Sequence, residues 1–329
     1  MQPHIRRDSR RHLAGLIWLT LGTLPALRAD VTLRYKMLID LNKKLPPQLT
    51  EQMSKQMNVS IPPAQTIQHK DGKVLSTTGN FSSLGDFNKH EITLIDTAGK
   101  RYGAISAGQF GEAMTAAMPE IPEQAKAAMA AMKVHSESKA TGRTATIQGI
   151  EAEEREIDIT IDAPPMPNVP PGPMMRMAMH LWTAKASEKT RVPAVAEFTN
   201  YDYAAMGGMD PLSAMSKVFA QMPGLGDAMA DLMKQMKSGG TPMLLRMQIE
   251  MFMPMVTALL RQAPGANPSG AEGAAEAPIL TMTNELAEIS TAQIPDSVLQ
   301  IPEGYKEVPA ADILKDMVKE KTPPTQPPQ

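Results

Sequence analysis

TATIQGIEAEEREIDITI, residues Thr144–Ile161, is the stretch on which the reading of this fold turns. Thr144 to Gln148 is rich in β-branched residues, Gly149 interrupts it, and Glu151 to Ile161 resumes the run. In the second half Ile157, Ile159 and Ile161 alternate with Glu156, Asp158 and Thr160. A period of two sends the isoleucines to one side and the polar residues to the other. Such a segment is a half-buried antiparallel strand with one wet face, entered through a turn at Gly149.

The same period recurs on both sides of this stretch. Upstream, Val31 to Met37 alternates apolar and polar residues. Thr66–His69 and Lys73–Thr77 flank Asp71-Gly72, a hairpin signal, and Glu91–Asp96 and Arg101–Ile105 flank the turn at 97–100. There Ile92 and Leu94 are expected to face one side, Glu91 and Thr93 the other. Downstream, Met174–Thr183 carries Met175, Met177, Met179 and Leu181 on one side and Ala178, His180 and Trp182 on the other. Leu245, Met247, Ile249, Met251 and Met253 alternate with Arg246, Gln248 and Glu250, and Ile279–Ser290 is a closing strand.

Helical spacing appears between the strand runs. Residues 46–57 place Leu49, Met53 and Met57 four apart after Pro46-Pro47. From Ala107 to Met132, Phe110, Ala113, Met114, Ala117 and Met118 form one stripe, and Ile121, Ala125, Ala128, Met129 and Met132 the next. Pro119 and Pro122 divide them, because proline removes a helical hydrogen bond. A second block at 211–237 has Leu212, Met215, Val218, Phe219 and Met222, then Leu225, Met229, Leu232, Met233 and Met236. A short helix is expected at Ala310–Lys319. The Pro-rich 163–173 and the Ala/Gly/Glu-rich 263–277 read as loops, the latter disordered, as is the tail 322–329. Hairpin-linked strands with helical insertions predict the α+β class. The expected architecture is one domain, 30–321, with a curved, half-barrel-like antiparallel sheet and helices on one face.

Residues 1–29 read as a cleavable signal peptide. Arg6, Arg7, Arg10 and Arg11 precede the apolar stretch Leu13–Leu24, and Ala29 stands at the cut. That stretch is shorter than the roughly 20 apolar residues needed to span a bilayer. Ser9-Arg10-Arg11 also resembles a twin-arginine signal. Export to the periplasm or medium is therefore expected, with no transmembrane segment after cleavage. Cleavage leaves 28 Lys and Arg against 34 Asp and Glu, a net charge of −6. An acidic chain is a poor partner for nucleic acid, whose phosphates demand clustered cations. Cysteine is absent, so burial has to stabilise the fold without disulfides. The chain has 27 Met and only 4% aromatic residues, so its core must draw on Met, Leu, Ile, Val and Ala.

The segments Thr144–Ile157, Met175–Ala184, Val192–Asp202 and Ile294–Val308 resemble the lipoprotein-carrier (LolA-like) half-barrel superfamily. They are more similar still to an uncharacterised group of exported bacterial proteins related to it. A strand with a turn glycine, a strand ending in Trp182 and the closing Pro302-Glu303-Gly304-Tyr305 turn carry the likeness. It spans roughly 144–308 and, more loosely, 31–105. The resemblance implies acyl-chain or lipoprotein binding between a curved sheet and its helices. The Met-rich helical blocks depart from the carrier pattern.

No catalytic constellation is legible. His69, His90, His135 and His180 lack the close spacing of zinc ligands and are expected at the surface or with a single bond. No Gly-x-Ser-x-Gly elbow or phosphate loop is present. The cluster Glu151, Glu153, Glu154 and Glu156 could suggest paired carboxylates, but Glu154 and Glu156 are expected on the wet face of a strand, and neither enzyme nor cofactor is expected. Methionine is the informative excess. Met114, Met118 and Met129 on the first helical block, and Met215, Met229 and Met233 on the second, are candidate groove residues. Met177, Met179, Leu181, Met247 and Met251 on the strands would complete an adaptable hydrophobic site. The expected function is non-catalytic binding of a hydrophobic ligand, lipid or lipidated partner. The alternatives are a structural or protein-interaction role in the envelope and Cu(I) binding by thioethers around Met174–His180.

Overall fold

The computed structural model describes residues 30–42, 51, 64–118, 123–124, 131–162, 172–203, 206, 242–255 and 277–321. The signal peptide, almost all of 46–57, most of 119–130, the Pro-rich loop up to 171, the helical block at 211–237, the loop 263–276 and the tail lie outside them.

Twelve described strands form one open sheet. They are β1 (Val31–Leu41), β2 (Ala64–Lys70), β3 (Lys73–Thr78), β4 (Phe81–Asp86), β5 (Glu91–Asp96) and β6 (Arg101–Ser106). Then follow β7 (Lys133–Ile147), β8 (Ile150–Asp162), β9 (Pro173–Ala184), β10 (Leu244–Phe252), β11 (Leu280–Ser290) and β12 (Lys306–Glu307). Their order is β12-β6-β5-β4-β3-β2-β1-β11-β10-β9-β8-β7, antiparallel throughout except for β12 beside β6. Two meanders are thus joined at the middle by β1 and β11, which pair across most of the chain's length. The helices are α1 (Ala107–Ala117), α2 (Glu188–Arg191), α3 (Pro193–Thr199) and α4 (Ala310–Lys321).

The turn between β7 and β8 is two residues long. Gln148 and Gly149 both take positive φ, +51° and +75°, the signature of a type I′ hairpin whose twist matches its strands. Register shifts at Ala140/Thr144 of β7, Arg34/Tyr35 of β1 and Leu244/Arg246 of β10 insert bulges, which bend strands and increase local twist.

Cross-strand rows show which face the helices cover. Ile92, Gly85, Val74, His69 and Val31 form one row across β5 to β1; Leu94, Ser83, Ser76, Ile67 and Leu33 form the next. At one end of this face Ile92 and Leu94 pack with Ala107 of α1 and Ile313 and Leu314 of α4. Nearer the middle Leu33, Ile67 and Val74 pack with Val195 and Phe198 of α3 and with Tyr201 and Tyr203. The described helices therefore stand on one face of an antiparallel sheet, as the α+β reading requires. On the other face Leu75 is covered by Ile294 and by Leu299 at the end of a 3-10 turn, Asp296–Leu299.

The strand reading is corrected at β4 and β7. Strand β4 was unread, because FSSLGD has little apolar alternation and is held by both neighbours. Strand β7 begins at Lys133, eleven residues before the expected start at Thr144; its polar first half is tolerated on a sheet edge. In β5 the expected sides hold, with Ile92 and Leu94 opposite Glu91 and Thr93, and Thr93 and Ile95 are buried as well.

Candidate functional site

The strands β8 to β11 and β1 build an apolar surface from rows of isoleucine, methionine and leucine. One row runs Ile159, Met177, Met251, Leu280, Leu41; the next runs Ile157, Met179, Ile249, Met282, Ile39. A third runs Arg155, Leu181, Met247, Asn284, Met37. Along β1, Met37 and Ile39 continue the side of Leu33 and Tyr35, whereas at β8 and β9, α3 packs with Ile150, Ala152 and Ala184 on the other side and no described helix residue packs on these rows. It is deeply buried at β8 and β9, where Ile159 and Met179 are each 1% exposed. It opens toward β11 and β1, where Met282 is half-buried and Ile39 is 37% exposed.

A polar corner adjoins the third row. Ala140, Gly142, Arg143, Thr144, Glu153, Glu154, Arg155 and Thr183 surround a cavity of about 180 Å³. Thr144, Glu153 and Thr183 lie in one cross-strand row, next to the row that holds Arg155 and Leu181. Arg155 is half-buried and donates to Ser138 Oγ at 3.3 Å. Among the described residues it has no carboxylate partner.

Glu154 points the other way along β8 and is buried, contrary to the expected wet face. The bulge at 141–143 folds over it. Thr141 Oγ1 donates to Oε2 at 2.6 Å, Arg143 Nη2 to Oε1 at 2.7 Å, and His180 Nδ1 lies 3.1 Å from Oε1. All its lone pairs face partners, so the group is a structural tie between β7, β8 and β9. Glu156, the other residue expected on the wet face, is half-buried, while Glu151 and Glu153 are exposed.

The sequence-picked groove residues fall into separate places. Met177, Met179, Leu181 and Met247 share one buried cluster with Ile157, Ile159, Ile161 and Ile249. Met251 lies in the same cross-strand rows and is half-buried. Met114 instead packs beside Ile92 and Ile313, and Met118 ends α1. Met129, Met215, Met229 and Met233 lie outside the described residues. Sequence reasoning missed Arg155 and the cavity, since only the bulge in β7 brings 140–144 against 153–155.

The histidines also differ from one another. His69 is fully buried with Tyr203 as its hydrogen-bond partner, the singly bonded form of the expectation, and touches Phe198, Tyr201 and Tyr203 edge-on or tilted. Tyr203 Oη lies 3.2 Å from its Nε2, and burial pushes its pKa down to about 3. His180 meets Glu154, and His135 Nε2 lies 3.3 Å from Asp162. Met177 and Met179 lie on one side of β9 and His180 on the other, so one strand does not gather all three. Among the described residues no three His, Asp or Glu side chains are grouped to hold a metal ion, and no helix is long and apolar enough to cross a membrane.

No protein-family model matches this chain, and no curated protein does either. Among solved structures, that of PNGF-II in the C2 space group is similar, at a TM-score of 0.33 and 7% identity. The likeness covers 89% of this chain and 33% of that one, so the chain spans about a third of its length. At that score it carries no argument about the fold or the function.

Proposed function

We propose that this chain is an exported, non-catalytic binding protein for a hydrophobic ligand, a lipid or a lipidated partner. The observation that carries this reading is the apolar surface across β8 to β1, graded from fully buried to half-exposed. Methionine sits at Met177, Met179, Met247, Met251 and Met282 within its rows. An unbranched thioether side chain has three rotatable bonds and repacks around a guest at low cost. The basic and apolar start at residues 1–29 supports the exported part of the reading.

Native mass spectrometry tests it on the purified chain, before and after incubation with palmitate. A co-purifying lipid, or a palmitate adduct, is the expected result. A bare chain in both spectra overturns the reading, and bound copper with no lipid replaces it with thioether–Cu(I) binding.

A further inference from the structure

The geometry points to a ligand with two chemically distinct ends: an apolar chain along the methionine rows and a zwitterionic head in the polar corner. This rests on the hydrophobic-binding reading above and names the class of molecule that would occupy the site.

Three observations meet at one place. First, the row holding Arg155 continues directly into Leu181 and Met247, so the cation stands at the buried β8 end of the apolar rows, where a ligand chain enters by repacking of the methionines. Second, Arg155 is half-buried with a hydroxyl as its partner and no carboxylate among the described residues. Withdrawing a guanidinium from water without an anion is costly, and a ligand phosphate or carboxylate would supply a charge-assisted partner. Third, the adjoining cavity of about 180 Å³ lies below the roughly 300 Å³ at which whole-ligand pockets begin. It suits a head group whose chain leaves along the sheet.

Glu153 decides the sign of the rest of the head. It lines the same cavity, two residues from Arg155 on the same side of β8, which separates the two Cα atoms by about 7 Å. The other pair of charges at the cavity, Arg143 and Glu154, neutralise each other. What remains is one cation and one anion side by side. An anionic group against Arg155 and an ammonium against Glu153 match that pattern, with the Thr144 and Thr183 hydroxyls between strands as further partners. A phosphoethanolamine-type head has this arrangement; a plain anion would meet Glu153 as a like charge.

The test uses the full chain and displacement of N-phenyl-1-naphthylamine, a neutral apolar dye. The competitors are palmitoyl lysophosphatidylethanolamine, palmitate and monopalmitoylglycerol, which share one chain length. The zwitterion should compete roughly tenfold better than the neutral lipid, the scale of one charge-assisted hydrogen bond, with palmitate between them. Arg155→Gln should bring the zwitterion and the neutral lipid within about twofold of each other. Glu153→Gln, at an exposed position, should weaken the zwitterion alone. Equal competition by all three lipids in the native chain overturns the head-group inference and leaves hydrophobic binding standing. Palmitate as the best competitor overturns the zwitterion. Failure of dye and lipids alike to bind removes both readings.

Discussion

His69 stands in one cross-strand row between Val31 and Val74, under the rings of Phe198, Tyr201 and Tyr203. A cage of this kind excludes the charged form, and the folded-state pKa falls to about 3. Unfolded, the imidazole titrates near 6.5. Between these values the unfolded chain takes up a proton that the folded chain refuses. The stabilisation is therefore complete above pH 6.5 and declines as pH falls toward 3, by about 1.4 kcal/mol per unit. Urea midpoints for the native chain and His69→Leu, taken near neutrality and near pH 5, should show this. The native chain should lose about 2 kcal/mol more than the variant over that interval. Equal losses would mean that His69 is charged or hydrated in the folded protein. Nothing in the local sequence QHKDG distinguished this histidine from His135, because its burial comes from aromatic residues about 130 positions away.

Among the elements, β8 shows how one strand serves two environments. Its first part buries Ile150, Ala152 and Glu154, all on one side; its second part buries Ile157, Ile159 and Ile161 on the other. Period-two alternation was legible in the sequence for the second part, while the first needed the fold to cover its side. Helix α4 illustrates the reverse dependence. Its amphipathic spacing was evident, yet its docking place depends on Gly103 in β6. A Cβ there would stand 2.6 Å from the Val308 carbonyl oxygen and 2.8 Å from Ala310 Cα and N. Those are backbone atoms and cannot swing aside as a side chain can. Gly103→Ala should therefore destabilise the chain by about 1–3 kcal/mol. Hydrogen exchange should speed up in α4 and β12 before it does so in β8 and β9.

Across the whole molecule, the absence of cysteine leaves stability to burial in one long sheet. The methionine cluster on β9 and β10 is central to that burial. Met179 is 1% exposed and is flanked by Ile157 and Ile249. Met179→Ala should cost about 2–5 kcal/mol through lost transfer energy and a cavity. Met179→Leu conserves volume and should cost less than about 1.5 kcal/mol. Thermal or urea unfolding of the two variants distinguishes a packed methionine from a merely covered one; equal small losses would place Met179 outside the core.

The sequence by itself determined the type of most strands, the hairpin turns, the helices at 107 and 310, and the apolar sides of β8, β9 and β10. Each of these follows from local periodicity and turn chemistry, which act over a few residues. Tertiary structure alone decided that β1 lies between β2 and β11, that β4 fills a place between two neighbours, and that β7 extends back to Lys133. It also separated Met114 from Met179, buried His69 and Glu154, and set Arg155, which has no carboxylate partner among the described residues, beside a cavity at the end of the methionine rows. Those facts depend on which distant segments meet, and pairing over hundreds of residues leaves no local periodic trace.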